Sequence, residues 1–460
     1  MLRRVSLALL LPLMAACLLA ACDGEQVDYN NSARYDISWI WQGGLATTGA
    51  RGVYGALGVA ASTNHPGARD GAASWRDAAG KFWLFGGYGH DANDTLGSLN
   101  DLWQYDGSNW IWMGGSSIAN AAGTYGTKGI ADAANMPGGR AYAVSWVDAT
   151  GKIWLFGGLG RDGVAASGRL NDLWTFNGTQ WTWVGGAGSV DAGGVYGTQG
   201  VADSANGPGA RYDAVGWADA DNNLWLFAGN GMDGNTGCCW LNDLWVYSTA
   251  TGKWSWMHGA NTANAVAVYG TQAVAEVANT PGGRYGMTAW LDSNGSAWVY
   301  GGTGNNANGD RVVFDELWSL AKPADGSARR WAWVSGTQAQ YVAPAYGARG
   351  TVSLVGSPGS RYRPTSWTTD NTLWLFGGDV EAVNGTITHP NDLWRYDSGY
   401  WTWVGGQSTD NPAGSYTGIG ESGQPGGRSG AASWIDIPSR TLWLFGGDDH
   451  ADLWFYVYSP

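Results

Sequence analysis

The chain has 460 residues, with 75 Gly, 31 Trp, 14 Pro and a formal net charge of −13. That acidity argues against a surface built to neutralise nucleic-acid phosphates or anionic lipid. The glycines sit at the turns of a repeating template, so their abundance does not signal disorder.

The first segment reads as a leader. Arg3 and Arg4 precede an apolar run from Leu7 to Leu19, which is too short to span a bilayer. It ends in Leu19-Ala20-Ala21-Cys22, which resembles a bacterial lipobox. The implied events are removal of residues 1–21 and diacylation of Cys22; an ordinary secretory signal is the alternative. Residues 22–34 read as a polar tether. The expected location is therefore the bacterial cell envelope, with membrane contact through the lipid anchor only.

Residues 35–460 read as one domain. The motif Ser38-Trp39-Ile40-Trp41-Gln42-Gly43-Gly44 comes first, and six copies of a longer template follow. The second copy shows it in full: Pro137-Gly138-Gly139-Arg140, Trp146, Trp154-Leu155-Phe156-Gly157-Gly158, Asn171-Asp172-Leu173-Trp174 and Trp181-Thr182-Trp183. The repeat arginines are Arg69, Arg140, Arg211, Arg284, Arg361 and Arg428, at intervals of 71, 71, 73, 77 and 67 residues. A fixed period signals a repeat architecture. Each copy holds four short apolar runs with near period-two alternation, separated by Gly, Asp and Asn clusters, which are strand and turn signals. Four strands per unit, repeated radially, predict an all-β propeller of six blades.

Strand a is expected from Ala141 to Trp146, with small residues such as Ser145, Gly216, Ala289 and Ser366 suited to packing near an axis. W-L-F-G-G is strand b, N-D-L-W-x-Y strand c and W-x-W strand d. Thirty of the 31 Trp fall on the template. They are expected to be packing residues, since so many exposed indoles would make the chain insoluble. The sixth copy ends at Pro460 without a W-x-W. The N-terminal Trp39 and Trp41 are expected to supply that strand and close the last blade.

These motifs resemble the kelch repeat, most nearly the bacterial kelch proteins similar to the central domain of galactose oxidase. The resemblance covers residues 35–458, although the repeat here exceeds the usual length of about 50 residues. It implies a propeller. It leaves function open, because propellers host unrelated activities.

Strand direction places the d-to-a and b-to-c connections on one face, where loops expected to carry function concentrate. The six repeat arginines enter there, and a guanidinium ring would grip a carboxylate or an acidic sugar. The competing reading pairs each with the acid opening strand c: Asp101, Asp172, Asp243, Glu316, Asp392 and Asp452. The third b-to-c loop carries Asp233, adjacent Cys238 and Cys239, and Trp240, which alone lies off the template. Trp240 is a candidate sugar-stacking platform or a plug. Cys238 and Cys239 are expected to form a strained vicinal disulfide in an oxidising compartment. Asp91, Asp162 and Asp233, with Asn306 matching, read as turn formers rather than calcium ligands. The shortest b-to-c connection, Asp448-Asp449-His450-Ala451, predicts a gap near the sixth repeat.

Catalytic signals are sparse. The five histidines occupy different template positions without metal-ligand spacing. No metal or cofactor is expected. The favoured reading is a monomeric binding propeller for a carbohydrate or protein partner. The alternative is a sugar isomerase or epimerase, an activity the kelch resemblance allows.

Overall fold

The computed structural model describes residues 38–322, 328–338, 341–369 and 371–459. The expected leader 1–21, the acylation candidate Cys22 and the expected tether 22–34 lie outside the described residues. The described residues form strands and turns and no helix.

The second repeat shows why the sequence folds as it does. Val144–Val147, Ile153–Arg161, Ser167–Phe176 and Trp181–Gly185 make an antiparallel meander in chain order. Trp146 lies opposite Trp154, and Trp174 opposite Trp183. β-Branched and aromatic residues fit such half-buried pleated surfaces. The first, third, fourth and fifth repeats build equivalent sheets. In the sixth, Ala432–Asp436, Thr441–Phe445 and Ala451–Val457 pair in order. The N-terminal strand Trp39–Leu45 adds antiparallel to Ala451–Val457, with Trp39 opposite Tyr456 and Trp41 opposite Trp454.

Two details differ from the expected strands. Strand a is not one run from Ala141 to Trp146. It breaks into Arg140–Ala141 and Val144–Val147, because Tyr142 takes a left-handed φ of 57°. Strand b does not stop at Gly157-Gly158; it continues to Arg161 and pairs with strand c from Ser167. In the first three repeats, the long b-to-c loops expected from the sequence are therefore hairpin arms. The glycine pair marks a bulge, with φ of 66° and 105°. A Cβ at Gly157 would lie 2.7 Å from the carbonyl oxygen of Arg211 in the next repeat. Only Gly allows that approach.

The sheets meet through their tryptophans. Trp75, Trp83 and Phe85 of the first repeat pack with Trp174, Phe176 and Trp181 of the second. Trp39 sits on Trp367 and Phe376 of the fifth repeat, with ring centroids 6.1 and 5.1 Å away. Each buried aromatic removes about 150–250 Å² from water, an upper estimate of about 4–6 kcal/mol at about 25 cal/mol per Å². Indole N–H groups also stitch neighbours: Trp146 donates to the Trp225 carbonyl (3.1 Å), Trp367 to that of Trp443 (3.0 Å) and Trp434 to that of Trp75 (3.0 Å).

The first strands of the repeats converge on a channel. Ser145, Gly216, Ala289, Ser366 and Ser433 line a cavity of about 350 Å³ there. Ser145 donates to the Ser74 carbonyl, Ser74 to that of Ser433, and Ser433 to that of Ser366. The expected small residues thus face the convergence.

Candidate functional site

The six repeat arginines do not form a ligand-gripping ring. Arg69, Arg140, Arg211, Arg284, Arg361 and Arg428 are each at most 1% exposed. Arg211 donates to the Gly209 and Ala228 carbonyls and to both oxygens of Asp243, at 2.7–3.0 Å. The other five pair with the acid of their own repeat. That acid also accepts from the Trp two residues on and from a Tyr of the preceding d-to-a loop. For Asp243 these are Trp245 and Tyr196, each at 2.7 Å. Burial alone would raise the Asp452 carboxyl, yet the Arg428 charge holds it down to about 2. The arginines are structural because their donors are spent inside each sheet. The d-to-a loops, expected to decorate a binding face, are pinned down by the same tyrosines.

The third b-to-c arm also differs from expectation. Asp233 is buried; its Oδ1 accepts from the backbone of Asn235 and Gly237, and its Oδ2 from that of Ala263. It is a turn former, with no free oxygen aimed at a ligand. Asp91, Asp162 and Asn306 accept in the same way. Trp240 is half-buried rather than exposed, and its backbone pairs with Asn264. Cys238 and Cys239 are free thiols here, with sulfurs 2.8 Å apart and a φ of 140° at Cys239. The expected disulfide is not formed in this structure.

The polar cluster lies elsewhere, two residues after each repeat arginine. Those positions are Gly71, Tyr142, Asp213, Gly286, Arg363 and Gly430, all with left-handed φ between 52° and 69°. Their peptides bond head to tail in a circle. Tyr142 donates its N–H to Gly71, Asp213 to Tyr142, Gly286 to Asp213, Arg363 to Gly286, Gly430 to Arg363 and Gly71 to Gly430. The distances run from 2.5 to 3.1 Å. The left-handed conformation disfavours side chains at a cost of about 1–3 kcal/mol each. Three positions relieve it with Gly. The other three keep Tyr, Asp and Arg, and these face a cavity of about 170 Å³ at the mouth of the channel. Gly71 leaves room for the Tyr142 ring, since a Cβ there would come within 2.5 Å of it.

Charge is concentrated at this mouth. The Arg363 Nε and Nη2 atoms donate to Asp213, at 2.8 and 2.7 Å, and its guanidinium lies 4.2 Å from the Tyr142 ring centre. The Tyr142 hydroxyl donates to Asp70. Burial pushes the Asp70 carboxyl up to about 6. Tyr142, Tyr212, Tyr285 and Tyr362 follow one another with ring centres 6.3–6.4 Å apart.

Beside them, His389 bridges two acids, with Nδ1 2.6 Å from Asp448 and Nε2 3.4 Å from Asp379. Burial pushes Asp379 up to about 6, against the pull of Ser429, Arg363 and His389. The bond to Asp448 raises the His389 pKa. Asp379, His389 and Asp448 each offer one donor atom within 4.8 Å of the others. Both imidazole nitrogens are already engaged by carboxylates, so the group stands as an ion triad. Asp448 belongs to the shortest b-to-c connection, that of the sixth repeat.

The sequence patterns single out none of Tyr142, Asp213, Arg363, Asp70, Asp379 and His389, and mark Asp448 only as part of the shortest b-to-c connection. One signal was there: the second position after the repeat arginine is Gly in three repeats and three unlike polar residues in the others.

No protein-family model matches the sequence, and no curated protein matches it. Among solved structures it is similar to one titled "Structure of YjhT", a kelch-type propeller. The identity is 13%, the match covers 85% of this chain and 94% of that one, and the TM-score is 0.50. The likeness is one of fold, a β-propeller.

Proposed function

We propose that the chain is a six-bladed kelch-type propeller, closed by its N-terminal strand, that binds a carbohydrate at the mouth of its channel. The circle of six backbone hydrogen bonds from Gly71 back to Gly430 supports the blade count, and the pairing of Trp39–Leu45 with Ala451–Val457 supports the closure. One observation carries the binding reading. Tyr142, Asp213 and Arg363 occupy left-handed positions where Gly serves the fold equally well. Strain kept at a solvent-reachable mouth is a mark of function. Phenols, carboxylates and a guanidinium offer the paired donors and acceptors that sugar hydroxyls need. Acylated Cys22 would hold this monomeric binder at the bacterial envelope.

A second reading, a sugar isomerase or epimerase, is favoured by Asp70 and Asp379. Both titrate at about 6, and Asp70 is bonded to a phenol. Groups poised near the working pH are suited to proton transfer.

A glycan array probed with residues 23–460 tests the binding reading. Retention of a defined glycan is expected. Tyr142→Phe and Arg363→Lys should each lower it by about tenfold, since Lys loses the fork that Arg aims at Asp213. Trp240→Ala should leave it unchanged. Retention that falls only with Trp240→Ala would move the site to the third hairpin arm. A change in anomer or epimer ratio on incubation would favour the enzyme.

A further inference from the structure

We propose that Cys238 and Cys239, on the third hairpin arm, form a binding site for trivalent arsenic, taken up as arsenous acid or as an organic arsenical of the form R–As(OH)2. The site lies on the arm and not at the mouth, so it goes beyond the carbohydrate reading and does not rest on it.

Adjacent residues of a regular strand point to opposite faces. Cys238 and Cys239 open the strand Cys238–Ser248 and lie opposite Met232 and Gly231. An ordinary backbone there would hold their sulfurs apart. Instead Cys239 takes a φ of 140°, and the two Sγ atoms meet at 2.8 Å. Side chains rarely adopt that φ, and they bear strain when they do. The first two arms have Leu96-Gly97 and Ser167-Gly168 at these places, opposite Gly89 and Gly160. The pair is held from both sides. Asp233 fixes the preceding turn by accepting from the backbone of Asn235 and Gly237. Asn264 donates its side-chain amide to the Cys238 carbonyl at 3.4 Å and accepts from the Trp240 N–H at 3.2 Å. Cys238 is exposed and Cys239 half-buried, so a small solute reaches the sulfurs.

Two converging sulfurs narrow the ligand. Among the described residues no third Cys, His, Asp or Glu joins them, so the four ligands of a structural zinc site are missing. A soft cation held in a straight line by two thiolates needs them on opposite sides, whereas these sulfurs lie side by side. Trivalent arsenic is soft and pyramidal, and its bonds stand near right angles, which suits neighbouring sulfurs. It also accepts protonated thiols. Burial and the adjacent Cys238 raise the Cys239 pKa, so this sulfur keeps its proton at neutral pH. At each sulfur one As–S bond forms and one As–O bond breaks, and the thiol proton leaves with the hydroxyl as water. Two such steps release two waters, and neither arsenic nor sulfur changes oxidation state. The first bond makes the second intramolecular, which is the source of the affinity.

The probe is phenylarsine oxide, added to the detergent-solubilised full chain after reduction with a phosphine, so that any disulfide is opened first. Mass spectrometry of the intact chain and of its digest reads the adduct. One phenylarsenic group is expected on the peptide that holds Cys238 and Cys239. It should survive excess glutathione, a monothiol, and be released by 2,3-dimercaptopropanol, a dithiol. Cys238→Ser and Cys239→Ser should each weaken retention by about a hundredfold, because one sulfur cannot close the ring. Their melting profiles should match that of the parent. Unfolding in urea should weaken retention by about tenfold, since the arm no longer brings the sulfurs together. A reduced chain that takes up no arsenic, or an adduct found only at Cys17 or Cys22, would overturn the inference. So would single-Ser variants that hold the probe as well as the parent, or retention that is equal in urea.

Discussion

Asp243→Ala is expected to destabilise the protein by about 3–5 kcal/mol, the range for removing one partner of a buried ion pair. The carboxylate is fully buried and accepts from both Nη atoms of Arg211, from the Tyr196 hydroxyl and from the Trp245 indole. Its loss leaves a charged guanidinium with no counter-ion in the sheet. It also strands two further donors, and each unsatisfied buried group costs about 1–3 kcal/mol. The loop carrying Tyr196 loses its anchor at the same time. Urea denaturation measures the effect: the midpoint should fall while the slope holds. The surface pair Arg76–Asp436, partly exposed on both sides, is the contrast. Asp436→Ala should cost about 1 kcal/mol or less. A similar cost for the two substitutions would mean that the buried pair does not organise the repeat.

Deleting residues 38–45 should be more damaging still. The strand buries Trp39 against Trp367, Phe376 and Tyr456, and sets Trp41 beside Tyr416 and Trp454. Trp39 alone accounts for an upper estimate of about 4–6 kcal/mol of apolar burial, and the half-buried Trp41 adds to it. The deletion also opens the ladder along Ala451–Val457 and leaves an unpaired edge strand, which invites aggregation. That loss rivals the net stability of about 5–15 kcal/mol typical of a folded domain. The truncated chain should therefore lose cooperative melting, whereas shortening the exposed hairpin tip at residues 382–386 should shift the midpoint by a few degrees. Matching melts for the two deletions would show that the N-terminal strand is dispensable.

The scaffold was legible because its signals are local and repeated. Trp spacing, the W-L-F-G-G run and the acid at the start of strand c each recur in phase, so every copy confirms the others. The pairing of Arg211 with Asp243 was visible as one acid per arginine. The hairpin arms were not legible. Leu159-Gly160-Arg161 and Ser167-Gly168-Arg169 carry too few apolar residues to show a strand period, yet they pair in the fold. The mouth was hidden for a different reason. His389 meets Asp448 across 59 residues, and Arg363 meets Asp213 across 150. No spacing rule links positions that only radial packing brings together. Tyr142, Asp213 and Arg363 also sit where neighbouring repeats have Gly, and a glycine position reads as a turn. The break in the pattern was the information, because Tyr142, Asp213 and Arg363 bear a left-handed strain that Gly avoids in the other repeats.

A crystal structure of residues 23–460 soaked with the glycan that the array retains tests the account most directly. It predicts six sheets around one channel, with the sugar at the mouth and its hydroxyls within hydrogen-bond distance of Tyr142 or Arg363. Sugar density on the Trp240 arm with an empty mouth, or a different number of sheets around the channel, would contradict it.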